Sequence, residues 1–129
     1  PYKNSPLIHE TIQLAKGLRA KGVALRVVAP VPTYSAHVPY HLYTQPESPL
    51  HQSHAQYYRN NAAFWNHFPS SHIPKQNIVD FSPALCTPDC KVMDADSRPY
   101  YFDSNHLTFT GVKLLEPILR NMVEGIAAK

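Results

Sequence analysis

The stretch that most restricts the fold is Val23-Ala24-Leu25-Arg26-Val27-Val28-Ala29, nearly all apolar, rich in β-branched residues, with Arg26 its only charge. It follows a helical pattern after a tight turn, so it reads as a buried strand of a parallel sheet. Pro30 and Pro32 stop it. The helix before it opens on Ser5 and Pro6, an N-cap and a first-turn proline. Ile8, Ile12, Ala15 and Leu18 recur on one face, and Gly22 is placed to cap the C-terminus. Gly17 weakens this helix slightly.

Thirteen prolines against four glycines argue for stiff, extended connections rather than flexible linkers. Residues 33–48 read as one such loop, just past the C-terminal end of the strand. Ligands bind at that edge in open α/β sheets. Tyr34, Tyr40, Tyr43, His37 and His41 would suit a polar ligand with apolar faces, such as a carbohydrate; the same residues would also make a packed surface loop. Ser48-Pro49 repeats the helix-opening signal and predicts a helix over 49–67 with an aromatic face (Tyr57, Tyr58, Trp65, Phe68), weakest at Asn60-Asn61. Ser70 to Pro74 is a connection. Residues 78–81 form a short strand and 82–85 a turn of helix. Residues 86–99 are irregular, and 100–103 are extended. The last helix starts at Thr108 or Thr110, with Val112, Leu115, Leu119, Met122 and Ile126 as its stripe and Pro117 marking a kink or restart. Helices interleaved with strands make an α/β chain, and 129 residues suit one domain.

A net charge of +3 without a run of Lys or Arg gives nucleic-acid binding little support. No apolar run approaches the roughly 20 residues that cross a bilayer, and no signal-peptide pattern is present. The chain opens on Pro1 with no strand ahead of the first helix, and it reads as a piece of something longer.

Chemistry concentrates in Asp103-Ser104-Asn105-His106, between the aromatic run Tyr100-Tyr101-Phe102 and the last helix. A carboxylate there can accept the imidazole Nδ1 proton and leave Nε2 free to act as a base. The nucleophile is harder to find. None of the serines sits in a Gly-containing turn after a strand, the setting that exposes a serine hydroxyl beside an oxyanion hole. Cys86 and Cys90 are candidate thiolates only if unpaired. Their spacing allows a small disulfide-closed loop or two free thiols. His51 and His54, one helical turn apart, are a weak metal pattern. Asp80 reads as a turn or cap acid, and Asp94 and Asp96 as loop acids.

The block from Asp103 to Gly111 resembles the last block of SGNH hydrolases, Asp-x-x-His followed by Leu, Ser or Thr, and Gly. More narrowly, the chain resembles the extracytoplasmic SGNH domain fused to membrane-bound O-acyltransferases. Val27-Val28-Ala29-Pro30-Val31-Pro32 is similar to its strand ending in Pro-x-Pro, Cys86 and Cys90 to its paired cysteines, and Tyr100 to Asp103 to the approach to its catalytic acid. The resemblance implies a flavodoxin-like three-layer α/β/α fold with a parallel sheet, of which residues 1–129 would be the C-terminal part. It implies His106 as general base, Asp103 as its orienting acid and a Cys86–Cys90 disulfide. Tyr34, His37 and Tyr40 are candidates for substrate binding. The family's serine and its oxyanion glycine and asparagine lie in three upstream blocks that this sequence lacks. The expected activity is O-acyl transfer, chiefly of acetyl, or ester hydrolysis on a cell-surface glycan, with neither cofactor nor metal. The expected partners are the glycan or acyl-ester substrate and an N-terminal transmembrane acyltransferase domain. The expected location is the bacterial periplasm, tethered to the inner membrane. The other reading is a non-catalytic α/β module that binds a glycan or a protein.

Overall fold

The computed structural model describes residues 6–69 and 72–127. Ser5, expected to cap the first helix, and Ser70 and Ser71 of the expected connection lie outside the described residues, as does the side chain of Ile126. The described elements run α1 (Pro6–Ala20), β1 (Val27–Val28), α2 (Val38–Thr44), α3 (His54–Asn60), α4 (Ala62–His67), β2 (Ile78–Val79), α5 (Ser82–Leu85), α6 (Phe109–Lys113) and α7 (Glu116–Ala127). Helices with a small parallel sheet make the chain α/β. Contacts divide it into two compact units: residues up to Pro30 with Tyr58–Asp80, and Val31–Tyr57 with Phe81 onward.

In the first unit, α1 ends as its sequence predicts. Gly22 takes φ 76°, and the Val23 N–H donates to the Leu18 carbonyl at 2.9 Å, satisfying an end-of-helix acceptor. The chain then enters β1, which runs parallel to β2 with Val27 opposite Ile78 and Val28 opposite Val79. Ala15, Phe68 and Ile73 form the core, and Ile8, Ile12, Leu25, Val27, Phe64 and Ile78 pack on it. The strand expected over 23–29 is only two residues long, because β2 offers only Ile78 and Val79 as ladder partners. It is also not buried on both faces. Val27 faces the core, whereas Val23 and Val28 are each 50% exposed.

The helix expected over 49–67 is two helices. Asn61, at φ −105° and ψ 18°, leaves helical geometry between α3 and α4. The start also shifts from Pro49 to His54. Residues ahead of it are held in extended pairing, with Ser53 bridged to Asp89 and the Cys90 N–H donating to the Gln52 carbonyl at 2.8 Å. The Ser53 hydroxyl then accepts the Gln56 N–H at 3.1 Å, an N-cap bond.

In the second unit, the segment 33–48, expected as loop, contains α2. Pro39 sits in its first turn, where a missing N–H costs nothing, so the proline starts the helix instead of excluding it. α5 forms where a helical turn was expected. Cys86 and Cys90 are joined by a disulfide. Of the two candidate caps for the last helix, Thr108 is used: its hydroxyl accepts the Gly111 N–H at 3.2 Å and donates to the Pro99 carbonyl at 2.8 Å. The helix breaks after α6, and Pro117 lies in the first turn of the restarted α7. Along the predicted stripe Leu115 is buried, Leu119 and Met122 are half-buried, and Val112 is exposed. Gly111 is required by close approach, since a Cβ there would land on the Tyr100 carbonyl oxygen.

Candidate active site

The site grows out of a tight turn. Tyr101 and Leu107 form an antiparallel bridge, and the Phe102 N–H donates to the His106 carbonyl at 2.9 Å. That leaves Asp103, Ser104 and Asn105 to reverse the chain, a task suited to an Asp whose side chain can bond its own following backbone. Asp103 Oδ1 accepts the Asn105 N–H at 2.9 Å and the His106 N–H at 2.7 Å. Oδ2 accepts His106 Nδ1–H at 2.6 Å. One carboxylate therefore shapes the turn with one oxygen and orients the imidazole with the other.

The electrostatics follow from that bonding. The Asn105 and His106 backbone N–H groups, and then the imidazole, favour the charged carboxylate and lower the Asp103 pKa from 3.8 to about 2, against a smaller desolvation effect. At neutral pH Asp103 is therefore an anion and can only accept. In the neutral imidazole the shared proton then belongs on Nδ1, which leaves the Nε2 lone pair free on a side chain that is 65% exposed. An imidazole held in this way can accept a proton at Nε2 from a group placed beside it.

The turn is fixed from outside by main-chain bonds. The Val38 N–H, at the start of α2, donates to the Asp103 carbonyl at 3.1 Å, and the Tyr34 N–H donates to the Ser104 carbonyl at 2.9 Å. Tyr34 itself is buried. Its ring meets Tyr101 edge-on at 5.2 Å, and its hydroxyl donates to the Cys90 carbonyl at 3.5 Å. Burial pushes the Tyr34 hydroxyl up to about 12 and raises Tyr101 as well. The disulfide loop, the buried tyrosine pair and the Asp103–His106 turn thus form one connected support.

The structure treats the three expected substrate-binding residues differently. Tyr34 is internal, and its hydroxyl is used in packing. His37 is exposed and precedes α2 without capping it by its side chain, and Tyr40 is 67% exposed. Cys86 and Cys90, being paired, carry no free thiolate. Ser82 does meet an imidazole, His54 Nε2 at 3.1 Å, but it is 1% exposed and out of reach of a substrate. The Ser104 hydroxyl donates to Asn105 Oδ1 at 3.3 Å. His51 and His54 go to different partners, His51 to Asp89 Oδ2 at 3.3 Å and His54 to Ser82. Asp80 accepts the Tyr58 hydroxyl at 2.8 Å, and Asp94 accepts the Asp96 and Arg98 N–H groups of its own loop.

One neighbour of the site was not evident from residue type. Phe102 stacks on His106, with ring centroids 5.5 Å apart and planes at 19°. The sequence shows an aromatic directly before Asp103 and a histidine four residues on. The stack itself depends on the turn that brings the two rings together.

A family model described as SGNH domain (fused to AT3 domains) matches residues 4–121. The match covers most of the chain and includes the whole Asp103–His106 turn, and the chain belongs to this family of SGNH domains found with acyltransferases. No curated protein and no solved structure gives a match.

Proposed function

We propose that this chain supplies the base and orienting acid of an acyl-transfer or ester-cleaving site, with His106 as general base and Asp103 as its orienter. A serine from an upstream part of the parent protein would attack the acyl carbonyl carbon. His106 Nε2 takes the hydroxyl proton as the C–O bond forms, and the negative charge collects on the former carbonyl oxygen. Collapse of that intermediate breaks the ester C–O bond, and His106 returns the proton to the leaving oxygen. Water or an acceptor hydroxyl then takes the acyl group by the same steps in reverse. The substrate in this reading is an O-acetylated glycan at the cell surface. The domain works on the periplasmic side beside the membrane acyltransferase domain of the same protein, which agrees with a family fused to AT3 domains.

The observation that carries this reading is the 2.6 Å bond from His106 Nδ1 to Asp103 Oδ2 on an exposed imidazole. The test is ester cleavage by the full-length protein, with p-nitrophenyl acetate as probe and an acetylated polysaccharide as competitor. His106→Ala should lower kcat about 10²- to 10⁴-fold, the range of a positioned general base. An unchanged rate would refute the assignment.

One observation favours a second reading. Tyr43 is 87% exposed beside a groove of about 400 Å³ lined by Pro39, Leu42, Pro46, Met93 and Pro99. A non-catalytic glycan site there would bind saccharide equally well in His106→Ala.

A further inference from the structure

We propose that Phe102 is a positioning residue for the His106 base, an inference that rests on the acyl-transfer reading above. Phe102 is 56% exposed. It is not a core residue, and its backbone is tied into the turn by the Phe102 N–H on the His106 carbonyl at 2.9 Å. The ring nonetheless lies nearly parallel to the imidazole, at 19° and 5.5 Å. An exposed phenyl has no apolar reason to sit there beyond the small area that it covers.

The stack supplies a constraint that Asp103 cannot. A single hydrogen bond at Nδ1 fixes one atom of the ring, and the imidazole can still tilt about that bond and swing Nε2 out of line. A parallel ring against one face removes that tilt. Asp103 then sets which nitrogen carries the proton, and Phe102 sets where Nε2 points. When Nε2 takes a proton, the π face beside it also meets a cation, a favourable contact. The stack holds Nε2 in line for proton transfer and the cation contact favours the protonated ring, so both act on kcat rather than on substrate binding.

The test compares Phe102→Ala, Phe102→Leu and Phe102→Tyr in the full-length protein, with p-nitrophenyl acetate as probe and His106→Ala as reference. Phe102→Ala should lower kcat about tenfold, less than loss of the base itself, with KM changed less than about twofold. Phe102→Leu should behave like Phe102→Ala, and Phe102→Tyr should restore the rate. A second readout does not need turnover. In protein labelled with ¹³C,¹⁵N-histidine, ring relaxation should report a rigid His106 imidazole in wild type and Phe102→Tyr. It should report a mobile ring in Phe102→Ala, with the Nδ1–H tautomer kept throughout because Asp103 is intact. A raised KM with unchanged kcat would make Phe102 a substrate contact and overturn the proposal. Full kcat in Phe102→Ala while His106→Ala is inactive would also overturn it. If His106→Ala keeps its activity, the acyl-transfer reading fails instead. The ring relaxation then decides the positioning claim alone, and an equally rigid ring in Phe102→Ala would end it.

Discussion

The Val38 N–H donates to the Asp103 carbonyl at 3.1 Å, so the first turn of a helix 65 residues upstream holds the backbone of the acid that orients His106. The same residue that shapes the turn with its side chain is thereby anchored through its main chain. Disturbing either end should be read out at His106.

Replacing the carboxylate by an amide tests the side-chain half. Asp103→Asn keeps the shape but can present an N–H to the imidazole, which frees the ring to take the opposite tautomer. The expected result is a fall in kcat of about 10³- to 10⁴-fold with KM little changed. Steady-state kinetics on the full-length protein measure it, and a loss under tenfold would show that Asp103 is a turn acid only.

The depressed Asp103 pKa has a defined acid signature. Its folded value, about 2, lies below its ordinary 3.8, so the native state binds fewer protons than the unfolded chain between the two. The contribution to stability is fully present above about pH 4 and is lost as pH falls toward 2. Thermal melts at stepped pH should show wild type losing its advantage over Asp103→Asn in that window and not between pH 5 and 8. The group is solvent-accessible, so screening by salt should reduce the effect.

Two glycines should respond in opposite directions to the same substitution. Gly111→Ala puts a Cβ onto the Tyr100 carbonyl, an overpacking that costs about 1–3 kcal/mol and outweighs the helix-propensity gain. Gly125→Ala meets nothing within 4 Å in an exposed stretch of α7, so it should stabilise by up to about 1 kcal/mol. Chemical denaturation separates the two; equal signs would contradict the close approach at Gly111.

Reduction of the Cys86–Cys90 bond should lower stability by about 2 kcal/mol, the loop-closure value for so short a loop. Denaturant unfolding with and without reductant gives the number. Cys86→Ala with Cys90→Ala should reproduce it and be insensitive to reductant. Because Tyr34 reaches the Cys90 carbonyl, the same variant should also loosen the Asp103–His106 turn, visible as faster exchange of the Ser104 and Asn105 amides.

What could be read from sequence was what depends on near neighbours. The Gly22 cap, the Thr108 cap, the weak point at Asn60-Asn61 and the Asp103–His106 spacing are all settled within a few residues along the chain. What escaped depends on distant partners. The start of α3 moved because Ser53 pairs with Asp89, and Tyr34 went inside because its N–H bonds Ser104 and its hydroxyl bonds Cys90. α2 was missed for a different reason: prolines were read as breakers in a segment where one of them occupies a first turn. The candidate base was visible in the sequence, whereas its stacking partner required the turn to be folded.

The contacts that set the His106 ring come in two ranges. The bonds from the Asp103 carboxylate lie within four consecutive residues, whereas those that hold the turn reach it from Tyr34 and Val38. Partial opening of the second unit would release the outer bonds before the inner ones. In the acyl-transfer reading, the reach from His106 to its nucleophile would then be lost while the Asp103–His106 bond still forms, and activity would fall before the signature of that bond does.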